Sequence, residues 1–456
     1  MVQLLDGSPT TMGNVSHLEC LGCERKYTLP ELKKEYGSIF QYACEFCFNA
    51  YEVHYDMDFA TSKAGEILQR PQGYWQVREL LPVNTVHVDP HRPYTPLVRA
   101  NALSDELGIE LYLKLDSDQT VNPTGTFKDR PDATAINAAI ESGYNEVWVA
   151  STGNLAVATA RYAREYGMKI RVLIPENLGE RKRQAILQYL ADPKNLEFLK
   201  GPYDEANRIV LEEWQSIEPE KKSSIFIPNV SFRPFYKEGS KTNGMEIAFQ
   251  LQQLTVDPEK PVKYVYPIGS GALFVSAYKG DQELAYIGLT HRPVSMWGVQ
   301  AEKCAPVINT LQKGKVRSVG NDDTEEKWSQ IDPIKNPDTV AKSIAIGNPG
   351  SGYHALDVIE RSGGGGWVVS ERDIVHWVLK LYETEGIFGQ DVAGVTLAGI
   401  YQGVRNGEIK PGELVVANIT GTGHGRFEDD LKEYGYAFGF APRVDSLLKS
   451  IGFPQN

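Results

Sequence analysis

From Ile109 onward the sequence alternates short apolar runs with longer amphipathic segments, and this alternation leaves few fold classes open. Such runs are typical of buried β-strands, and the segments between them are typical of helices. Strands separated by helical crossovers pair in parallel, so an α/β protein is predicted. The predicted strands cover residues 110–115, 146–150, 170–174, 264–267, 295–299 and 414–418. Residues 312–336 and 363–366 are predicted to be loops because they are rich in turn residues.

Charge and composition narrow the classes of function. The 456 residues are 41% hydrophobic and 23% charged, as in a globular protein with more than one structural unit. The formal net charge of -12 disfavours binding to nucleic acid or to an anionic membrane. No apolar run approaches the roughly 20 residues of a membrane span, and residues 1–14 lack the layout of a secretion signal. We therefore expect a cytoplasmic protein with neither a nucleic-acid nor a membrane partner.

Four of the five cysteines form two CxxC pairs, Cys20 with Cys23 and Cys44 with Cys47. Paired knuckles of this spacing place four thiolates around one tetrahedral zinc ion, and they suit a reducing compartment. The alternative is a small ribbon with four unmetallated thiols. A catalytic metal is not expected, because a four-thiolate site leaves no open coordination position. The sequence thus predicts a structural zinc-ribbon-like segment at the N-terminus.

A candidate for covalent chemistry lies in the segment of residues 121–130, where Lys128 follows a turn that contains Asn-Pro and Thr-Gly. The turn lies between the predicted strand that ends near Leu115 and a predicted helix that includes residues 132–140. An ε-amine held there can form a Schiff base with a carbonyl cofactor if its surroundings lower its pKa. The alternative is a surface lysine in the first helical turn, which is common in α/β folds.

Three further polar turns follow predicted strands. Residues 150–154 offer hydroxyls and an amide at the carboxyl end of a strand, where α/β sheets bind ligands, although such residues also cap helices. The glycines of residues 267–273 allow backbone NH groups to approach a phosphate at a helix N-terminus. Glycine also serves purely steric needs in tight turns. Residues 418–425 form another polar glycine turn, after the last predicted strand.

Together, these four segments resemble threonine synthase and its relatives in the fold-type II family of pyridoxal phosphate (PLP) enzymes. Residues 122–129 look like the lysine motif of that family, residues 150–154 like its cofactor-ring loop, residues 269–273 like its phosphate cup and residues 422–425 like its final turn. The paired cysteines before residues 53–56 are similar to the N-terminus of some threonine synthases, as are residues 78–83, 94–97 and 345–349. The resemblance covers nearly the whole chain, and its motifs follow the order of the family.

The resemblance implies a two-domain, tryptophan synthase β-like fold, with PLP as cofactor. Its parts would be a zinc-ribbon-like segment (residues 1–60), a large PLP-binding domain (61–130 and 251–456) and a small inserted domain (131–250). Lys128 would be the Schiff-base lysine and the base that moves protons at the substrate α-carbon. Asn154 would bind the ring hydroxyl and Thr422 would face the pyridine nitrogen. The cofactor phosphate would be held by the NH groups of Gly269, Ser270, Gly271, Ala272 and Leu273.

Threonine synthases convert O-phosphohomoserine and water to threonine and phosphate, and the resemblance implies that reaction here. Ser151, Thr152, Tyr236 and Lys241 are the candidate substrate contacts, although Tyr236, Lys241 and Arg233 could equally be solvated surface residues. Several positions depart from the family. Leu155 replaces a hydroxyl residue, and Tyr236 stands where the family usually has an arginine. Arginine binds phosphate with a bidentate fork that tyrosine cannot provide, so the substrate stays open.

Two classes of function remain. The first is a PLP enzyme, either a threonine synthase or a relative that performs β- or γ-replacement or elimination on another activated amino acid. A cysteate synthase, which joins phosphoserine to sulfite, is one such relative. The second is a non-catalytic descendant that binds or scaffolds. Retention of Lys128, Asn154 and Thr422 favours the first class, with a small amino acid as substrate. Relatives are often dimers, so a homodimer is expected.

Overall fold

The computed structural model describes residues 11–36, 44–47, 49–151, 153–176, 179–200, 203–218, 221, 224–228, 234–254, 256–317 and 326–454. The chain divides into two compact units. Unit 1 comprises Met1–Tyr94, Phe127–Glu246 and Lys279–Thr290, and unit 2 comprises Thr95–Thr126, Ile247–Tyr278 and His291–Asn456. The domain boundaries expected from the resemblance, at residues 60, 130 and 250, stay a prediction.

The strands of the described residues are numbered here in chain order. They are β1 (Val15–Cys20), β2 (Lys26–Tyr27), β3 (Tyr51–Tyr55), β4 (Leu97–Arg99), β5 (Glu110–Leu115), β6 (Glu146–Ala150), β7 (Lys169–Pro175), β8 (Leu196–Leu199), β9 (Ile225–Phe226), β10 (Val262–Pro267), β11 (Val294–Ala301), β12 (Lys315–Arg317), β13 (Glu326–Trp328), β14 (Gly365–Val369) and β15 (Leu414–Ile419).

The helices are numbered in the same way. They are α1 (Leu29–Tyr36), α2 (Met57–Ser62), α3 (Ala64–Gln69), α4 (Asn101–Leu107), α5 (Asp129–Glu141), α6 (Asn154–Glu165), α7 (Glu180–Leu187), α8 (Tyr203–Ser216), α9 (Pro234–Gln252), α10 (Ala272–Tyr286), α11 (Pro306–Lys313), α12 (Gly352–Arg361), α13 (Glu371–Glu385), α14 (Asp391–Arg405), α15 (Glu428–Ala437) and α16 (Ala441–Ser450). Short 3-10 turns occur at Arg78–Leu80, Pro193–Asn195 and Lys342–Ile344. Within the described part of the chain, no helix is both long and apolar enough to cross a membrane.

The described residues of unit 1 form two sheets. The first is antiparallel, with the order β2-β1-β3, and its strands alternate buried and partly exposed side chains. This alternation follows from the period of two in a strand that covers a core on one face. The second sheet is parallel, with the order β8-β7-β6-β9. Side chains of β6, β7, β9 and α8 pack into one apolar cluster against this sheet.

Unit 2 is built on a sheet with the order β14-β11-β10-β15-β5-β4, parallel except for β4 at one edge. Every residue of β15 is buried, because helices cover both faces of such a sheet. Helices α4, α13 and α14 contribute to the main apolar core. The predicted α/β class is therefore confirmed, and each strand predicted from the apolar runs lies within or coincides with an observed one.

The two predicted loops are wrong in part. Residues 315–317 and 326–328 form an antiparallel pair, β12 with β13. Gly365 and Gly366 open β14, where they pair with Trp297 and Gly298 of β11. A side chain at Gly365 would lie 2.6 Å from the ring of Trp297, and one at Gly366 would lie 2.4 Å from Ile308. These glycines are needed for close packing of a strand, a reason that a glycine run in a sequence does not reveal.

Candidate active site

Lys128 lies immediately before α5, where its backbone already has helical angles. Its amine is 4.5 Å from the centroid of the Phe127 ring and 5.5 Å from that of the Tyr236 ring. Burial lowers the pKa of Lys128 to about 8, and the nearby Asp132 opposes this shift. A larger share of its amine is thus unprotonated near neutral pH than in an exposed lysine, as a nucleophilic or basic lysine requires.

Asp132 is a fully buried residue that sequence reasoning missed. It follows Lys128 by one helical turn, and its carboxylate accepts a hydrogen bond of 2.9 Å from the Thr159 hydroxyl of α6. Burial raises the pKa of Asp132 well above its usual range. The spacing of four residues from Lys128 was the available signal, because residues four apart share a face of a helix. The start of α5 therefore holds two titratable groups, and burial lowers the pKa of Lys128 and raises that of Asp132.

The turn from β6 to α6 holds Ser151 and Asn154, whereas Thr152 lies outside the described residues. The Ser151 hydroxyl accepts a hydrogen bond of 3.1 Å from the Gly153 amide, and Ser151 is buried. Gly153 has a φ of 142°, which glycine tolerates best, and Asn154 begins α6. The side chain of Lys182 in α7 passes over this glycine, 3.5 Å from where a Cβ would lie. Sequence reasoning did not single out Lys182.

In unit 2, residues 268–271 join β10 to α10, and Ala272 and Leu273 begin that helix. Gly271 has a φ of +85°, and a Cβ there would lie 2.9 Å from the Ser351 carbonyl oxygen. The Ser270 carbonyl accepts a hydrogen bond of 2.9 Å from the Ser351 amide, and the Ser270 hydroxyl accepts one of 3.4 Å from the Ala272 amide. NH groups in the first turn of a helix have no acceptor within that helix. Such NH groups suit a phosphate dianion. A side chain at Gly271 would clash with the backbone of Ser351.

Replacement of Gly271 by alanine is expected to destabilise the fold by about 1–2 kcal/mol, because a positive φ places Cβ against the backbone. It should also weaken PLP binding, since the new Cβ displaces the Ser351 segment from the turn. Denaturant unfolding and titration with PLP would measure the two effects. Gly288→Ala is the matched control, since its φ is +75° and no atom lies within 4 Å of the added Cβ. If Gly271→Ala and Gly288→Ala both bind PLP as tightly as the parent does, the turn at Gly271 does not take part in PLP binding.

Thr422 lies in the polar turn after β15 and is buried. Its amide donates a hydrogen bond of 2.8 Å to the Gly125 carbonyl, so this turn contacts the segment that precedes Lys128 in the chain. A Cβ at Gly125 would lie 2.5 Å from Thr422, which explains the glycine in this motif. The Thr422 hydroxyl accepts a hydrogen bond of 3.3 Å from the His424 amide. That Thr422 faces a pyridine nitrogen stays a prediction.

Tyr236 and Lys241 are both on α9, and both are almost completely buried. The alternative that they are solvated surface residues is therefore wrong, while Arg233 lies outside the described residues. The Lys241 ammonium is 2.6 Å from Glu238 and 2.7 Å from Glu283, and it lies 4.0 Å from the Tyr55 ring centroid. Two carboxylates already neutralise this cation, whereas Tyr236 lies beside the amine of Lys128.

The four predicted zinc ligands lie together in unit 1, with their sulfur atoms within 4.8 Å of one another. Cys20 and Cys47 are 3.3 Å apart between sulfur atoms, and Cys23 and Cys44 are 3.6 Å apart. The Gly22 amide donates to the Cys20 sulfur at 3.4 Å. Such NH donors stabilise thiolates in metal knuckles. The donor set and its spacing fit a tetrahedral zinc ion with no open position.

Comparisons with known proteins support an enzyme that depends on pyridoxal phosphate. The family model described as pyridoxal-phosphate dependent enzyme matches residues 88–421. A threonine synthase of Methanosarcina acetivorans is 31% identical over 406 residues, which cover 89% of this chain and 91% of that protein. A threonine synthase of Methanocaldococcus jannaschii is 32% identical over 416 residues, covering 90% and 93%.

Solved structures share the fold at low identity. The processed form of threonine deaminase isoform 2 from Solanum lycopersicum has a TM-score of 0.59 at 21% identity, covering 84% of this chain and 90% of that chain. Maize serine racemase has a TM-score of 0.56 at 16% identity, covering 84% and 98%. These likenesses establish the fold alone. The family match over most of the chain and the identity to the two archaeal threonine synthases show that the protein belongs to the pyridoxal-phosphate dependent enzymes and is a threonine synthase-like member of fold type II.

Proposed function

We propose that this PLP enzyme converts O-phosphohomoserine and water to threonine and phosphate, with Lys128 as the covalent anchor of the cofactor. The observation that carries the proposal is the amine of Lys128, held before α5 with a pKa lowered to about 8. The similarity to archaeal threonine synthases along about nine tenths of the chain supports this choice of reaction. Such an amine is able to accept and return a proton at the substrate α-carbon near neutral pH.

The residues around the proposed site have separate tasks. PLP, when bound, supplies an electron sink that makes bonds at the substrate α-carbon easier to break. The amides of Gly269, Ser270, Gly271, Ala272 and Leu273 hold its phosphate, in a turn whose glycine conformation leaves room for that group. Asn154 orients the cofactor ring by a hydrogen bond to the ring hydroxyl. Thr422 places a hydroxyl, not a carboxylate, at the pyridine nitrogen, and so does not favour protonation of that nitrogen.

Recognition of the substrate phosphate requires a cation, and the described residues offer few candidates near Lys128. Tyr236 is an aromatic neighbour of Lys128, and the cation of Lys241 is paired with Glu238 and Glu283. We propose that Lys182, which lies over Gly153, supplies this charge, and that Ser151 contributes a hydroxyl. Thr152 stays a candidate from the sequence. Tyr236 packs against the substrate chain and does not bind its phosphate.

The position of Tyr236 also favours a second candidate function. An uncharged aromatic beside Lys128 suits β- or γ-replacement on an amino acid with a less charged leaving group, such as an acetylserine-type ester. Replacement on phosphoserine with sulfite keeps phosphate as the leaving group and is the other form of this candidate. A carboxylic ester carries less charge than a phosphate and needs no bidentate cation. Both candidate functions keep the same roles for Lys128 and the glycine turn. They differ only in which activated amino acid the side chains around Lys128 bind.

The deciding experiment supplies the PLP-loaded protein with O-phosphohomoserine and measures released phosphate and threonine together. Lys182→Ala is expected to raise KM by about tenfold, as for loss of a charge-assisted hydrogen bond of about 1.5 kcal/mol. Lys194→Ala, at an exposed site, is the control and should leave KM unchanged. Absence of threonine, combined with turnover of acetylserine or of phosphoserine with sulfite, would reject the first candidate in favour of the second.

We also propose that Cys20, Cys23, Cys44 and Cys47 bind a structural zinc ion, on the basis of their convergent sulfur atoms. A four-thiolate site would stabilise this small ribbon. A homodimer in the cytoplasm is the assembly and location that we propose for the enzyme. Gel filtration with light scattering of the purified chain tests the dimer directly.

A further inference from the structure

The antiparallel sheet of unit 1 carries a second group of potential metal ligands, on the face opposite to Cys20. Leu18 and Cys20 of β1 are buried, whereas His17 and Glu19 alternate with them and are partly exposed. His54 of β3 lies on the same face as His17, because the two residues are directly paired across the strands. Glu19 is the diagonal neighbour of His54 on this face.

The strand register sets His17 opposite His54. From His17 to Cys20 of β1 the pairing with β3 is regular, and a β-bulge at Ser16 interrupts it only before His17. The rings of His17 and His54 stack, with centroids 4.6 Å apart and planes 4° from parallel. A shift of this register by one residue would move His17 to the other face.

The hydrogen bonds of Ser16 determine which nitrogen of His17 carries a proton. The Ser16 hydroxyl donates its single proton to the His54 carbonyl at 3.1 Å. It must therefore accept from Nδ1 of His17, which is 3.0 Å away, so Nδ1 is protonated. In the neutral ring this leaves the lone pair on Nε2. That Nε2 atom is buried and has no hydrogen-bond partner among the described residues.

The carboxylate of Glu19 faces both rings. Its Oε2 atom is 3.8 Å from Nε2 of His17 and 3.4 Å from Nε2 of His54, and the three ligand atoms lie within 4.8 Å of one another. Its other ionic partner is Lys26, at 3.2 Å, whose side chain is 59% exposed and so is free to move into solvent. The neighbouring Glu52 is held by Lys237 and Lys279, so it is not a further ligand.

We propose that His17, Glu19 and His54 form a second metal site, which binds a divalent transition-metal ion such as zinc. Two imidazoles and one carboxylate suit zinc and similar ions, whereas magnesium and calcium prefer oxygen ligands alone. A tetrahedral ion with bonds of about 2.0–2.1 Å needs ligand atoms about 3.3 Å apart. For one ion to meet both Nε2 atoms, the stacked rings must turn about their Cβ–Cγ bonds out of their parallel arrangement, and Lys26 must leave Glu19. A water molecule completes the coordination.

The site is separate from the four cysteines and has a distinct spectroscopic signature. Thiolate ligands give cobalt(II) intense charge-transfer bands, whereas imidazole and carboxylate ligands give only weaker bands. The full-length reduced protein, stripped of metal and titrated with cobalt(II), is expected to bind two ions per chain, one of each spectroscopic type. Elemental analysis after dialysis against zinc should give the same stoichiometry.

His54→Ala is expected to remove the weaker bands and one ion while retaining the thiolate bands. Glu19→Gln, which preserves shape, should weaken the second ion at least tenfold. His87→Ala, at an exposed site in the same unit, is the control and should bind both ions. If His54→Ala also loses the thiolate bands, the substitution has disturbed the whole sheet. The affinity of Glu19→Gln for the second ion then tests the proposal. Equal binding of the second ion by Glu19→Gln and the parent, or a single ion bound by the parent, would overturn the proposal.

Discussion

Lys128→Ala is expected to abolish the visible absorbance that the parent protein gains when it is mixed with PLP. The reason is that the amine at position 128 is the group proposed to bond the cofactor aldehyde, and alanine has no amine. Turnover should fall by at least about 10²–10⁴, the range over which a positioned proton-transfer group accelerates a reaction. Absorbance spectra and product assays at saturating PLP measure the two effects separately.

The protonation of Lys128 adds a test that does not depend on turnover. Only the unprotonated amine attacks an aldehyde, so the PLP association rate should rise with pH, about tenfold per unit, and level off above about pH 8. That midpoint follows from the pKa of about 8, to which burial lowers this amine. Lys169→Ala, at an exposed lysine of β7, should behave as the parent does. If Lys128→Ala gains the same visible absorbance with PLP as the parent does, Lys128 is not the residue that bonds the cofactor.

Arg130→Met is expected to destabilise the protein by about 3–5 kcal/mol, the usual result of removing one partner of a buried ion pair. Arg130 is fully buried and binds Glu246 of α9 with two parallel hydrogen bonds of 2.7 Å. It also donates to the Thr242 hydroxyl at 3.1 Å. Methionine would remove the guanidinium that neutralises the buried carboxylate of Glu246. Urea unfolding of the PLP-free protein measures the loss.

Two further variants separate this effect from a general loss of charge. Arg208→Met removes a pair with Glu212 that is more than half exposed, and it should cost less than about 0.5 kcal/mol. The double variant Arg130→Met with Glu246→Leu should recover much of the stability, because neither charge is then left buried alone. If Arg130→Met and Arg208→Met unfold at the same urea concentration, the buried pair does not stabilise the fold as described.

Several parts of the structure could be predicted because they depend on neighbouring residues in the chain. The strand at residues 110–115 was predicted from a short, mostly apolar run, and it was observed with those bounds. The helix after Lys128 was expected from an alanine-rich segment, and α5 includes it. The paired cysteines converge because each CxxC pair is a local turn. Polar turns were expected after β6, β10 and β15, and they are found there.

Other features depend on residues that are distant in the chain. That Lys241 contacts the substrate stays a prediction, whereas its ion pairs with Glu238 and Glu283 arise only on folding. The buried carboxylate of Asp132 acquires its hydroxyl partner only when α6 packs against α5. The glycines of β14 appeared to be a loop, because the ring of Trp297 that demands their small size comes from another strand.

The amino-acid sequence alone determined the α/β class, the position of Lys128 at the start of a helix and the cysteine knuckles, since each follows from spacing within a few residues. The tertiary structure decided the environment of those groups. It set the burial that lowers the pKa of Lys128, the pairing of Arg130 with Glu246, and the strand register that sets His17 opposite His54. The physical reason is that burial and strand register depend on how distant segments pack, and local residue patterns do not specify that packing.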